Sequence, residues 1–370
     1  MSSELNKKNK IYEVLKELLQ YNISDIHFIE DHPVYVRNSS GDLIPQDIVF
    51  LKEELRWFIH DFLPASKIDE LIDGTEIDAA HSIWTTRLRI NVYFDKYGIR
   101  LALRKISDKP PSMEKIWLDE RLKSFLHEDK WLILVTWPTW SGKSTTLASM
   151  IDYINQTRKA HIITLEDPVE YVFENKNSLI TQREIWKHSK NWKDAMKFCL
   201  RQDPDIIMVG EMRDWETISA VLTLVETWHL VLSTLHTIDA AQTITRIIDV
   251  FPPYQQEQIS VQLSLTLKMI ISQRLMPTKD SNGRVAAREI LINSPAIANN
   301  IREKRIPQII SIMETGFKSW MRTMDQDLAT LVAEGKVDLN YVLSRVRNVE
   351  NFKSLLNSKL NETNKFRPVD

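Results

Sequence analysis

The segment that decides the fold runs from Leu132 to Thr145 and reads Leu-Ile-Leu-Val-Thr-Trp-Pro-Thr-Trp-Ser-Gly-Lys-Ser-Thr. Its apolar start predicts a buried strand, and the stretch after it predicts a helix. From Ser141 onward it matches the second half of a Walker A phosphate loop, whose backbone N–H groups hold phosphate oxygens. Lys143 would then reach the β- and γ-phosphates, and the Ser144 hydroxyl would coordinate Mg²⁺. The alternative is a strand–turn–helix unit that binds nothing.

This loop supplies the candidate ligand-binding residues. They are consecutive: Trp137, Pro138, Thr139, Trp140, Ser141, Gly142, Lys143, Ser144 and Thr145. Ser-Gly-Lys-Ser-Thr alone is a short motif that occurs by chance. Its place between an apolar strand and a helix is what favours phosphate binding.

Three further apolar runs follow the loop. They begin at Ile162, Ile206 and Leu230 and are four to six residues long, with Thr164, Ser233 and Thr234 as their only polar members. Runs of this kind are typical of strands buried on both faces, as in a parallel sheet flanked by helices. The chain after about Ser294 is mostly helical in pattern. We therefore expect an α/β fold with a helical C-terminal region.

The first hundred residues have a different pattern. Apolar and polar residues alternate in the stretches that begin at Asp25, Val34, Arg87 and Ile99, which predicts strands of a half-exposed sheet. Lys109-Pro-Pro-Ser is the best linker, because two prolines cannot lie inside a helix or strand. The predicted organisation is a mixed α+β domain over 1–107, a linker over 108–112, a second domain over 113–360 and a polar tail over 361–370.

Length and composition exclude several classes. The chain has 370 residues, 43% of them hydrophobic and 26% charged, as in a soluble globular protein of two domains. No apolar run reaches the ~18 residues of a membrane span, and 1–10 is too polar for a signal peptide. Cys199 is the only cysteine, so neither an internal disulfide nor a four-cysteine zinc site can form, and a cytoplasmic setting fits best. A net charge of −2 gives no support for nucleic-acid binding.

Two carboxylates follow predicted strands. Glu166 ends the run that begins at Ile162, where it can polarise a water for attack on a γ-phosphate; the alternative is an acidic surface turn closed by Pro168. Glu211 follows the run that begins at Ile206, as in a Walker B strand whose carboxylate is held at Mg²⁺. The usual aspartate directly after the strand is missing.

Two histidines, His229 and His236, flank the last apolar run. Seven residues of strand separate them by ~20 Å, so they cannot share a metal ion. One of them contacts the terminal phosphate of a nucleotide, or both are hydrogen-bonded structural residues at the strand ends.

Together these segments resemble the PilT family of secretion-type traffic ATPases. The resemblance rests on an ordered set of motifs that spans nearly the whole chain. They are Ser24-Asp-Ile-His27, Arg87-Leu-Arg-Ile-Asn91, Glu166-Asp-Pro-Val-Glu170, Gly210-Glu-Met-Arg-Asp214, 229–236, Ala296-Ile-Ala-Asn-Asn-Ile-Arg-Glu303 and Met324-Asp-Gln-Asp-Leu328.

This resemblance implies a PAS-like N-terminal domain, a RecA-like P-loop ATPase domain and a ring-shaped homohexamer. It implies a motor that hydrolyses ATP with Mg²⁺ and drives type IV pilus retraction, docked on an inner-membrane platform protein at the inner face of the cytoplasmic membrane. Glu166 would be the general base and Glu211 a Mg²⁺ ligand, direct or through water. His229 would sense the γ-phosphate. The arginines expected to reach nucleotide charge are Arg87, Arg89 and Arg104.

One pair of counts departs from ordinary composition. The chain has 8 glycines and 11 tryptophans, although average usage of roughly 7% glycine predicts about 26 in this length. Eight tryptophans stand where the PilT family has glycine. Trp131, Trp137, Trp140 and Trp228 do so clearly, and Trp84, Trp117, Trp186 and Trp320 less securely. Trp57, Trp192 and Trp215 do not.

Two explanations are open. In the first, the tryptophans are genuine and the protein is a non-hydrolysing or accessory ring subunit, because an indole crowds a phosphate loop that needs glycine. In the second, UGA codons that the cell reads as glycine have been translated as tryptophan. The second gives both abnormal counts one cause, since replacing the eight tryptophans would leave 16 glycines and 3 tryptophans.

Overall fold

The computed structural model describes residues 2–21, 23–38, 42–84, 86–106, 109–138, 141–280, 283–346 and 348–365. The chain forms two compact units, Met1–Lys109 with Pro168–Val172 and Pro110–Asp167 with Phe173–Asp370. Parts of three sequence predictions lie outside the described residues: Thr139 and Trp140 of the phosphate loop, 107 and 108 at the linker, and 366–370 of the tail.

In its described residues, the first unit has a six-stranded antiparallel sheet and three helices. Its elements are α1 (Ser2–Leu18), β1 (Ile23–Ile29), β2 (Pro33–Asn38), β3 (Leu43–Val49), α2 (Lys52–Phe62), α3 (Ala65–Ile72), β4 (Ile77–Ile83), β5 (Thr86–Asp95) and β6 (Gly98–Ile106). The strand order is β3-β2-β1-β6-β5-β4. The alternation seen in the sequence places one side of every strand except the edge strand β3 in a core built around Phe28, Phe50 and Phe58.

The second unit is built on a seven-stranded sheet. Its strands are β7 (Trp131–Thr136), β8 (His161–Glu166), β9 (Leu179–Glu184), β10 (Ile206–Val209), β11 (Leu230–Leu235), β12 (Leu267–Pro277) and β13 (Arg284–Ile292). The order is β13-β12-β7-β11-β10-β8-β9, and every neighbouring pair is parallel except β12 with β13.

Helices cover both faces of this sheet. They are α4 (Lys143–Thr157), α5 (Trp192–Cys199), α6 (Trp215–Glu226), α7 (Ala240–Asp249), α8 (Gln256–Thr266), α9 (Pro295–Arg302), α10 (Ile306–Thr315), α11 (Met324–Ala333), α12 (Leu339–Leu343) and α13 (Val349–Lys365), with 3₁₀ helices at Glu120–His127 and Gly316–Ser319. Strand β7 shows why the apolar runs are continuous. Leu132 and Leu134 face one core, and Ile133 and Val135 face the other.

The predicted fold class is confirmed. The four apolar runs are β7, β8, β10 and β11, and the chain after Ser294 is helical. Helix α13 continues to Lys365, so 361–365 of the predicted polar tail is helical. None of the helices in the described ranges has the length and apolar character that a bilayer span requires.

The backbone at the tryptophans divides them into two groups. Among the described residues, seven tryptophans have positive φ: Trp84 (52°), Trp117 (52°), Trp131 (154°), Trp137 (153°), Trp186 (68°), Trp228 (67°) and Trp320 (63°). All seven are positions where the PilT family resemblance predicts glycine. The three tryptophans not so assigned, Trp57, Trp192 and Trp215, lie in α2, α5 and α6.

Candidate functional site

The carboxyl ends of four parallel strands bring the predicted motifs to one edge of the sheet. In the strand register, Thr136 pairs with Leu235, and Val209 pairs with both Ser233 and Leu165. The residues that follow these strands are therefore neighbours at the same edge. They are the phosphate loop, the segment after Glu166, Glu211 and His236. This is where open α/β sheets place their ligands.

The phosphate loop turns directly into α4. Gly142 has a φ of 80° and caps the helix, and Lys143 is its first residue. The Lys143 Nζ donates hydrogen bonds to the carbonyl oxygens of Trp137 (2.5 Å) and Pro138 (3.3 Å), so the ammonium lies over the loop. The first-turn N–H groups and this ammonium together favour a bound phosphate.

Gln273 on β12 is a residue that sequence reasoning missed. It is only 1% exposed. Its Nε2 donates to the Ser141 carbonyl oxygen at 2.8 Å, and its Oε1 accepts from the Thr146 hydroxyl at 2.8 Å. No local signal could have identified it, because it lies more than 120 residues away from both partners along the chain.

Glu166 is the last residue of β8 and is 6% exposed. Its Oε1 accepts hydrogen bonds from the Thr164 hydroxyl (2.7 Å) and from Gln182 Nε2 (3.2 Å). Two donors on one oxygen fix the orientation of the carboxylate. The partner on β9, Gln182, was also missed from the sequence.

Glu211 lies between two basic side chains. Arg213 approaches it at 3.0 Å, and His236 Nε2 lies 3.2 Å from its Oε1. Burial lowers the pKa of His236 below its ordinary value of 6.5, the Lys143 ammonium lowers it further, and Glu211 opposes both. His236 is therefore mostly neutral at pH 7, lies within hydrogen-bond distance of Glu211 and feels the charge of Lys143.

The structure places the two histidines at opposite ends of β11, and the expected role of His229 stays a prediction. His229 precedes β11 at its amino end, beside Trp131, whose N–H donates to the His229 carbonyl oxygen. Its Nδ1 lies 2.9 Å from the Leu224 carbonyl oxygen. Since β11 runs parallel to β7, the phosphate loop lies at the other end of the strand, ~20 Å away. Within one chain, His236 and not His229 is at the nucleotide edge.

The three candidate arginines all have protein partners in the first unit. Arg87 donates to the Val169 carbonyl oxygen through Nε (3.1 Å) and a terminal nitrogen (3.0 Å). Arg89 pairs with Asp78 and lies 3.7 Å from Glu170. Arg104 pairs with Asp25 at 2.6 Å. The expectation that they reach nucleotide charge stays a prediction.

The donors at this edge suit Mg²⁺. Ser144 in the first turn of α4 and Glu211 after β10 offer a hydroxyl and a carboxylate at the same sheet edge. Mg²⁺ prefers such oxygen ligands, usually one or two from protein with water and phosphate completing the octahedron.

A parallel sheet with a phosphate loop at its carboxyl edge defines a P-loop nucleotide-binding protein. Comparison with family models gives a match to the type II/IV secretion system protein family over residues 81–318. The chain therefore belongs to that family and, as its relatives show, to the PilT group within it.

Three relatives support this membership. A twitching motility protein of Neisseria gonorrhoeae is 47% identical over 264 residues, 71% of this chain and 71% of its own length. The type IV pilus retractation ATPase PilT of Pseudomonas aeruginosa is 39% identical over 344 residues, 92% of this chain and 99% of its own. A crystal structure of the pilus retraction motor PilT with bound ADP superposes with a TM-score of 0.84 at 39% identity, over 93% of this chain and 99% of that one. The family resemblance inferred from the motifs is confirmed.

Proposed function

We propose that the chain is a Mg²⁺-dependent ATPase that works as a homohexameric ring and drives retraction of type IV pili. The observation that carries the proposal is the convergence of the phosphate loop, Glu166, Glu211 and His236 at one sheet edge. Relatives named for pilus retraction and twitching motility cover most of the chain.

The phosphate loop and Lys143 would bind the phosphates of the nucleotide. The ammonium that now bonds the carbonyl oxygens of Trp137 and Pro138 is a few ångströms from the N-terminus of α4. On binding, it exchanges these neutral acceptors for phosphate oxygens, and the charge-assisted bonds are the stronger ones.

Glu166 would act as the general base. The hydrogen bonds from Thr164 and Gln182 hold its carboxylate at the end of β8, so it can orient a water for in-line attack on the γ-phosphate. A side chain that is 6% exposed cannot swing freely into bulk water.

Ser144 and Glu211 are the residues that would hold Mg²⁺. When bound, the ion neutralises charge that develops on the phosphate oxygens. His236 would hold Glu211 in place through their 3.2 Å contact and would report on the terminal phosphate from the same sheet edge.

The ring, its place and its docking partner follow from the family. We propose that six copies assemble at the inner face of the cytoplasmic membrane and dock on an inner-membrane pilus platform protein. In that ring Arg87, Arg89 and Arg104 would supply positive charge toward a nucleotide. All three now bind carbonyl or carboxylate oxygens, so they would have to exchange those partners.

A second candidate is a non-hydrolysing or accessory ring subunit. Trp137 favours this candidate, because it has a φ of 153° and places an indole within the phosphate loop. If this tryptophan is genuine, the loop is strained and crowded where phosphate must approach.

The test is ATP hydrolysis by protein purified from cells that express the gene natively. We expect turnover that stops when Mg²⁺ is chelated and that is lost in Lys143→Ala. The matched control is Lys159→Ala, an exposed lysine before β8 at the opposite sheet edge, and we expect it to hydrolyse normally. Tight ATP binding without turnover would establish the non-hydrolysing subunit instead. Loss of pilus retraction on gene deletion separates the motor from an accessory paralogue, whose loss leaves retraction in place.

A further inference from the structure

Seven of the ten described tryptophans adopt a backbone conformation that tryptophan rarely adopts. Only a few per cent of non-glycine residues have positive φ, mostly asparagine and aspartate, so ten tryptophans should supply fewer than one. In the described chain, positive φ occurs at more tryptophans than glycines, seven against four. Positive φ is therefore concentrated at tryptophan, although glycine is the residue that adopts it without steric cost.

The chain contains its own standard for these turns. At the end of α11, Gly335 (φ 72°) donates to the Val332 carbonyl oxygen, while Lys336 N–H donates to the Leu331 carbonyl oxygen. This paired pattern is a Schellman turn, and glycine is its usual left-handed residue. Gly74 ends α3 with the same pattern of bonds.

Trp117 makes the same turn with an indole. Its N–H donates to the Glu114 carbonyl oxygen at 2.9 Å, and Leu118 N–H donates to the Met113 carbonyl oxygen at 2.9 Å. The hydrogen-bond pattern matches that at Gly335 residue for residue. Only the side chain differs, at the position where a Cβ is penalised.

The indoles also lack the burial that usually accompanies tryptophan. Trp84, Trp117, Trp186 and Trp228 are 50–67% exposed. Of the three helical tryptophans, Trp57 and Trp192 pack against the cores of the first and second units, while Trp215 is 44% exposed and lies edge-on to Phe251. Tryptophan is normally among the more buried residues, so burial does not account for these four exposed indoles at positive-φ turns.

We infer that the functional protein carries glycine at Trp84, Trp117, Trp131, Trp137, Trp186, Trp228 and Trp320, and that these codons are UGA read as glycine. Trp140 lies outside the described residues. We include it on sequence grounds alone, because it belongs to the same loop as Trp137. Trp57, Trp192 and Trp215 are genuine tryptophans. For the proposed nucleotide site, the consequence is a phosphate loop whose backbone is free of both indoles.

The test reads residue identity directly and does not depend on activity. Native protein is digested with trypsin and its peptides are sequenced by mass spectrometry, alongside the codons of the gene. Peptide 131–143 covers three of the eight positions, and we expect glycine at each of them. Peptide 214–246 contains its own control, since we expect tryptophan at 215 and glycine at 228. Tryptophan at 137 or 228, or UGG codons there, overturns the inference.

A second experiment compares two recombinant proteins. One has tryptophan at the eight positions, and the other has glycine there. We expect the glycine form to bind ATP and to unfold at a higher temperature than the tryptophan form. Equal stability of the two forms would contradict the inference. Loss of hydrolysis by the glycine form counts only against the proposed function, because the unfolding measurement does not require catalysis.

Gln273 carries a second inference from an independent observation, and it rests on the proposed function. Its amide bridges the last part of the phosphate loop, at the Ser141 carbonyl, to the hydroxyl of Thr146 in the first turns of α4. Both bonds are buried, where an unmade hydrogen bond is costly. We propose that Gln273 is a positioning residue that fixes the loop relative to the helix N-terminus and so sets nucleotide affinity.

The test compares Gln273→Met with Ser272→Ala. Ser272 makes the neighbouring buried hydrogen bond, to the Thr136 hydroxyl at 2.8 Å, and serves as the structural control. In a parent that binds ATP, we expect Gln273→Met to weaken ATP binding about tenfold, with Ser272→Ala within about twofold and both unfolding at similarly lowered temperatures. Equal affinity losses in the two variants would refute the assignment. If Gln273→Met does not fold, Thr146→Val replaces it and is expected to weaken binding by the same route, and unchanged affinity there also refutes the assignment.

Discussion

The two ends of β11 have almost the same backbone and opposite chemistry. At the amino end, Trp131 N–H donates to the His229 carbonyl oxygen, and at the carboxyl end, Trp137 N–H donates to the Leu235 carbonyl oxygen, both at 3.3 Å. Trp131 and Trp137 also share a φ near 154°. The backbone alone therefore does not mark the nucleotide edge.

Side chains make the difference. The amino end holds Lys268, whose Nζ lies 2.8 Å from a carboxylate oxygen of Glu128 and 5.0 Å from the ring centre of Phe125. The carboxyl end gathers a lysine, two carboxylates and a neutral histidine. We propose that catalysis takes place at the second end, because the phosphate loop, Glu166, Glu211 and His236 all lie where parallel strands end at that edge.

The largest effect is expected from Glu166. Glu166→Gln keeps the shape and one hydrogen-bonding oxygen but removes the base, so kcat should fall by about 10²–10⁴-fold with ATP affinity nearly unchanged. The matched control at the other end is Glu226→Gln, on the last residue of α6, which should hydrolyse ATP normally. Steady-state hydrolysis and nucleotide binding measure the two quantities. A loss of less than about tenfold in Glu166→Gln would remove it from the role of base.

The next effect separates the two histidines. His236→Ala removes the partner of Glu211, and a hydrogen bond to a charged group is worth about 2 kcal/mol, so turnover should fall about 30-fold. His229→Ala loses only bonds to the Leu224 carbonyl and the Thr227 hydroxyl, and should lower stability by about 1 kcal/mol without changing turnover. Kinetics paired with thermal unfolding would distinguish the variants. The reverse result, with His229→Ala inactive, would point to a role for His229 beyond a single chain.

The histidine pair also shows how far sequence reasoning extends. The apolar runs and the Ser-Gly-Lys-Ser-Thr motif were enough to predict the parallel sheet and the loop, because continuous burial and strand–loop–helix order are local properties. The direction of the strands could also have been used to choose between the two histidines. The loop follows β7, so the histidine that follows the parallel strand, His236, shares its edge.

Other features of the site and fold could not be predicted from the sequence. Gln273 and Gln182 reach the site from strands whose register no local pattern encodes. The inclusion of Pro168–Val172 in the first unit is equally non-local, because it depends on contacts such as that of Arg87 with the Val169 carbonyl.

A smaller effect concerns the proton on His236. Its pKa lies below 6.5 because burial and Lys143 disfavour the charged form. The folded chain therefore binds fewer protons here than the unfolded chain, and this contribution to stability is lost as pH falls below the ordinary value of 6.5. Histidine NMR titration should show the pKa rising in Lys143→Ala and falling further in Glu211→Gln. An unchanged pKa in Lys143→Ala would mean that the ammonium lies farther from the imidazole than the structure places it.

The smallest effect returns to the amino end of the strand. Trp228 has a φ of 67° after α6, so Trp228→Gly in the printed sequence should stabilise the chain by about 1 kcal/mol through relief of the Cβ clash. Trp215→Gly is the counterpart at the other end of the same helix, and there glycine should destabilise by about 1 kcal/mol, because helical backbone is ordered at greater entropic cost. Denaturant unfolding of the two variants gives opposite signs if the left-handed backbone at 228 is a glycine position. Destabilisation by both would show that the indole of Trp228, 4.0 Å from Lys130, contributes more than the strain costs.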